Sequence, residues 1–96
     1  MTKTEQDILS SPFLDTVRDL RFDEAEYSRL ISLLQALAEE WVPAEVVNKR
    51  VAAELLILPS VVRGAAARLA GSKSSERLLD AAEEIETLAL QCLMPE

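Results

Sequence analysis

From Tyr27 the apolar residues fall at Tyr27, Leu30, Ile31, Leu34, Leu37, Ala38 and Trp41, steps of three and four that draw one stripe down a helix. Asp23 and Glu26 stand ahead of it with capping-box spacing, in which the first side chain accepts a backbone N–H and the second reaches back. The spacing predicts a helix over residues 24–41, with Ser28, Arg29, Ser32, Gln35, Glu39 and Glu40 on its wet side. A second stripe, Leu78, Ala82, Ile85, Ala89, Cys92 and Leu93, predicts a helix capped by Ser74 or Ser75 and ended by Met94, Pro95 and Glu96. Asp80, Glu83, Glu84, Thr87 and Gln91 face water along it.

Ser11 and Pro12 suit the cap and first turn of a short helix carrying Phe13, Leu14, Val17 and Leu20, and residues before Ser10 add one loose turn or nothing. Pro59 is expected to divide the stretch between Pro43 and Gly71, because its ring removes a hydrogen bond and crowds the preceding turn. Pro43 then opens a helix ending near Ile57, and Pro59 opens another ending at Gly71, with Gly71 to Ser75 the clearest loop. No segment alternates long enough for a strand. The pattern therefore predicts one all-α domain over residues 1–96: a compact bundle of four principal helices plus a short N-terminal helix, with a Pro-divided corner near Pro59.

Composition narrows the chemistry. The 96 residues are 49% apolar and contain no histidine, one cysteine and two glycines. Without histidine no side chain titrates near neutrality unless burial retunes it, and a lone Cys92 cannot build a zinc site or an internal disulfide. Gly64 and Gly71 lack the lysine and threonine of a phosphate-binding loop, and the acidic residues lack calcium-loop spacing. No catalytic, cofactor-binding or metal-binding residue is nominated. The polar stretch Met1 to Gln6 has no signal core, and no run reaches eighteen apolar residues, so the expectation is a cytoplasmic chain with no membrane segment. An acyl carrier role would need Asp-Ser-Leu at a helix start, which does not occur.

The net charge of −7 is laid out in blocks: net −6 over residues 1–47, +4 over 48–77 and −5 over 78–96. Acidic flanks can steer a basic protein partner, as in inhibitors, immunity proteins and antitoxins, and Glu39, Glu40, Glu83 and Glu84 are the candidate partner-binding residues. The same residues also suit merely solvated helix faces.

Within the basic block, Val51 to Arg68 resembles a helix-turn-helix in its packing positions: Val51 and Ala52, then Leu55 and Ile57 about the turn, then Val62 and Ala65. The resemblance implies a small DNA-binding regulator using Ser60, Arg63 and Arg68. It departs at the turn, where Leu56 occupies the position that favours glycine, and so few long polar side chains offer poor base readout. Binding to nucleic acid therefore ranks second.

Apolar residues outside the main stripes, among them Leu33, Val42, Val46, Leu79 and Leu90, together with the small run Gly64 to Ala67, exceed what one small bundle needs. They point to a homodimer. The leading reading is a non-enzymatic, acidic, regulatory or inhibitory protein-interaction module.

Overall fold

The computed structural model, which describes residues 1–94, is built of five helices: α1 (Lys3–Leu9), α2 (Phe13–Arg18), α3 (Glu24–Trp41), α4 (Lys49–Arg68) and α5 (Lys73–Leu93). No strand occurs among the described residues. Four helices start where a short polar side chain takes up a free backbone N–H: Thr2 for α1, Asp23 for α3, Asn48 for α4 and Ser72 for α5. The helix expected over 24–41 forms with those bounds, and Ser11 accepts the Phe13 N–H at 3.3 Å to start α2 beside Pro12. Of the C-terminal end expected at Met94 to Glu96, Met94 closes α5, and Pro95 and Glu96 lie outside the described residues.

Four expectations are corrected. Neither Ser74 nor Ser75 caps the last helix: Ser72 does, accepting the Ser75 N–H at 3.1 Å, so Lys73 to Ser75 are helical rather than loop. The segment before Ser10 is a full helix, held by the capping box between Thr2 and Glu5. Pro43 opens no helix: residues 42–48 form a connection, and the Asn48 side chain accepts the N–H groups of Arg50 and Val51 at 2.9 and 3.2 Å. The Pro-divided corner near Pro59 is absent, because α4 runs unbroken from Lys49 to Arg68 with Pro59 inside it. Proline there forfeits the bond to the Leu55 carbonyl, a loss of about 3 kcal/mol in an isolated helix. Here the ring is buried on the face that also carries Leu55, Leu58 and Val62, and packing of that face on α5, α1 and α2 holds the helix together.

Pairings along the helices set the layout. Arg77 meets Glu24, Glu84 meets Tyr27 and Cys92 meets the Leu34 carbonyl, so α3 and α5 run in the same direction. Ser75 bonds the Ala66 carbonyl and Arg63 bonds Glu86, so α4 and α5 form an antiparallel hairpin turned at Gly71, whose φ of 87° suits glycine. Helix α5 is shared by the other two long helices, which do not pack on each other, and α1 and α2 each rest on both α3 and α4. The core they enclose centres on Phe13, Leu30, Leu34, Leu37, Leu55, Leu78 and Ile85.

Leu20, expected on the buried stripe of the short helix, is 38% exposed and lies at φ 60°. It ends α2 in a Schellman turn: Leu20 N–H bonds Val17 O and Arg21 N–H bonds Thr16 O, each at 2.9 Å. A leucine in this left-handed position costs roughly 1–2 kcal/mol in Cβ crowding. Leu20→Gly should therefore raise stability by about 1 kcal/mol, or about 4–8 °C in melting temperature, after its own entropy and lost contact are subtracted. A lower melting temperature in that variant would show that the leucine side chain contributes more than its backbone strain removes.

Candidate functional site

The four nominated glutamates do not form one patch. The Tyr27 hydroxyl donates to Glu84 Oε1 at 2.5 Å, which places Glu84 on the α3 side of α5. Glu83 lies toward α4, close enough for its charge to act on Arg63. Glu39 and Glu40 sit at the far end of α3, with Glu39 about 18 Å along the axis from Tyr27 at ~1.5 Å per residue. All four are exposed.

The basic candidates are also dispersed. Arg63 is held by Glu86 in a two-pronged pair, 2.9 and 3.2 Å, while Arg68 lies in the last turn of α4. Because residues 51–68 are one continuous helix, the turn that a helix-turn-helix requires is missing, and Ser60, Arg63 and Arg68 have no recognition helix to occupy. Arg63 and Glu86 hold each other ionised, raising the arginine and lowering the glutamate, as expected of a paired charge.

Sequence reasoning missed two polar ties. At one end of α3, the Arg77 guanidinium bonds both Glu24 oxygens, at 3.0 and 3.1 Å, and lies 4.6 Å from the Phe22 ring centre and 4.8 Å from that of Tyr27. Phe13, Phe22 and Tyr27 close on one another with centroids 5.2 to 5.6 Å apart. Burial first, then the Glu84 carboxylate, pushes the Tyr27 hydroxyl well above its ordinary range, so it stays protonated and serves as a donor rather than a base. At the other end, buried Glu5 accepts the Thr2 N–H at 2.8 Å and the Trp41 indole N–H at 3.2 Å. The expected capping pair at the start of α3 is half made: Asp23 accepts the Glu26 N–H, but Glu26 turns to Arg29 at 3.1 Å.

The Thr2 backbone N–H holds the Glu5 carboxyl below the ordinary 4.5, with the Thr2 hydroxyl and Trp41 indole adding to it against the opposing effect of burial. A depressed folded value means that the carboxylate stabilises the fold above pH 4.5 and that this contribution is lost as pH falls through the folded value. Since Trp41 is the sole tryptophan, its emission should shift in acid below pH 4.5, and Glu5→Gln should remove that step. An identical acid titration in the variant would detach the signal from Glu5.

Cys92 is buried, donates weakly to the Leu34 carbonyl at 3.6 Å, and has its thiol pushed up to about 11 by burial, so it packs as a core hydrophobe. Among the described residues no group of three or more histidine, cysteine, aspartate or glutamate side chains stands ready to hold a metal ion, and no helix is long and apolar enough to cross a membrane.

Exposed apolar side chains also occur at Val42, Val46 and Ile57, and three more lie along the seam between α4 and α5. Helical spacing puts Leu56 and Arg63 on the α5 edge of α4, and Leu79, Glu83, Glu86 and Leu90 on the α4 edge of α5. Leu56, Leu79 and Leu90 are 65%, 50% and 46% exposed, and the Arg63–Glu86 pair lies between them. No protein-family model, curated protein or solved structure matches the chain.

Proposed function

We propose that this chain is a protein-interaction module with no catalytic role, acting in a regulatory or inhibitory way by covering a partner's surface. The observation that carries the reading is the leucine row on the α4–α5 seam, apolar side chains left in water along two packed helices whose intervening charges neutralise each other. Its first partner is a second copy of the chain, which would bury Leu56, Leu79 and Leu90 in a bundle of four long helices. Of the four glutamates, Glu83 belongs to the rim of this face, while Glu39 and Glu40 form a separate acidic end suited to steering a basic protein. The absence of catalysis is supported by the titratable groups that depart from ordinary values: Glu5, Glu24, Tyr27, Arg63, Arg77 and Glu86 are engaged in ties that hold helices together, and the Cys92 thiol is raised by its burial in the core.

Light scattering at micromolar concentration should report about twice the 10.6 kDa chain mass. Leu56→Glu with Leu90→Glu should return the chain to a monomer that keeps its helical content, with a melting temperature that no longer rises with concentration, since both positions are exposed in the single chain. A monomeric parent at that concentration would remove the self-association, and a dimer that survives the double change would move it to another face.

A further inference from the structure

A cavity of about 400 Å³ opens between α2 and α4, lined by Val17, Arg18, Val61, Gly64, Ala65 and Arg68. Val17 and Ala65 are buried and Val61 is half-buried, so the floor is apolar; Arg18 and Arg68 are exposed at its margin. Its size is near the lower end of ligand cavities. Gly64 is the unexplained member. It sits inside a 20-residue helix, and a Cβ added to it would meet no heavy atom within 4 Å. Nothing within the chain therefore requires a glycine, although a mid-helix glycine destabilises by roughly 0.5–1 kcal/mol relative to alanine. The missing side chain leaves a bare strip of helix backbone in the wall of the cavity, accessible to a group from outside.

The charges around the opening point to the kind of group. Arg68 has no ion-pair partner among the described residues, and Arg18 has only Asp15, at 3.7 Å with both side chains largely exposed, a pair that an incoming anion can displace. Each arginine lies in the last turn of its helix, where a cation suits the carbonyl end. That placement accounts for a positive charge but not for the open wall at Gly64. It also means that the nearby backbone ends offer carbonyls rather than N–H donors, so an anion here depends on the two guanidinium groups.

We propose that the α2–α4 cavity binds a small amphipathic anion, a carboxylate or phosphate monoester on a compact apolar body. Arg18 and Arg68 hold the anionic end, and Val17, Val61, Ala65 and the bare backbone at Gly64 receive the apolar part. The site faces away from the α4–α5 seam and stands independently of the self-association proposed there.

The test is an amide chemical-shift titration of the full chain with hexanoate, hexyl phosphate and 1-hexanol. One or both anions should give saturable shifts centred on Val17, Gly64 and Ala65, the tighter of the two identifying the preferred headgroup, and the alcohol should bind at least about tenfold more weakly. Arg68→Gln and Arg18→Gln should each weaken the anion by about tenfold, the loss of one charge-assisted contact. Gly64→Leu should block the cavity and abolish the shifts while the melting temperature holds or rises, because its Cβ enters open space. No saturable shift with either anion up to about 10 mM, where weak specific binding still registers, would overturn the proposal. So would equal affinity for hexanol, or unchanged anion affinity in Arg68→Gln or Gly64→Leu.

Discussion

Leu34→Ala should lower the unfolding free energy by about 3 kcal/mol, and Ile85→Ala by a similar amount. Both side chains are fully buried, Leu34 at the middle of the α3 stripe and Ile85 at the middle of the α5 stripe. Truncation removes the transfer energy of the deleted carbons and leaves a cavity that helices held by neighbours on several sides cannot collapse to fill. Against a total of about 5–15 kcal/mol for a small domain, either change should shift the urea midpoint strongly without altering the slope. Variants that melt within a degree or two of the parent would mean that these faces are not the core.

Phe13→Ala should be worse, at about 4–5 kcal/mol, because edge contacts between aromatic rings are lost together with area. Phe13 is fully buried and packs on both Phe22 and Tyr27, the rings over which Arg77 lies. Its loss should loosen α2, leave the Arg77 guanidinium without an ordered platform, and flatten the near-ultraviolet dichroism of the cluster. Phe13→Leu should recover most of the stability, because it restores volume, but not the aromatic dichroism. Full recovery of both in the leucine variant would show that ring geometry is irrelevant there.

The two regular stripes could be read directly. Residues 24–41 and the buried positions of α5 follow the helical period without interruption, and burial along them matches the pattern. Pro59 misled because local chemistry weighs against a proline inside a helix, whereas the burial that holds α4 together comes from residues distant in sequence. Two local signals were available: Thr2 and Glu5 have capping-box spacing, and Asn48 competes well with Pro43 as a helix start. The Glu5–Trp41 bond and the Arg77 cluster join residues 36 and about 50 positions apart, and no periodicity encodes such meetings. Similarly, the glutamates grouped by charge block proved to lie on separate faces once α3 and α5 were aligned. Gly64, counted with the small run to Ala67 as a sign of a dimer, instead lines the cavity between α2 and α4, where its surroundings are empty.

Because α3 and α4 do not pack on each other and each makes its main contact with α5, the order in which the chain is synthesised bears on how it folds. Residues 73–93 follow the other four helices, and until they emerge the core around Leu30, Leu34, Leu55 and Val62 is incomplete. The α4–α5 hairpin joins neighbours and can close quickly, while α3 must find α5 across more than fifty residues, a slower step by loop-closure entropy. A nascent chain on the ribosome would thus carry α3 and α4 without their main partner until α5 is made, which makes that interval the period of greatest exposure to chaperones and to aggregation.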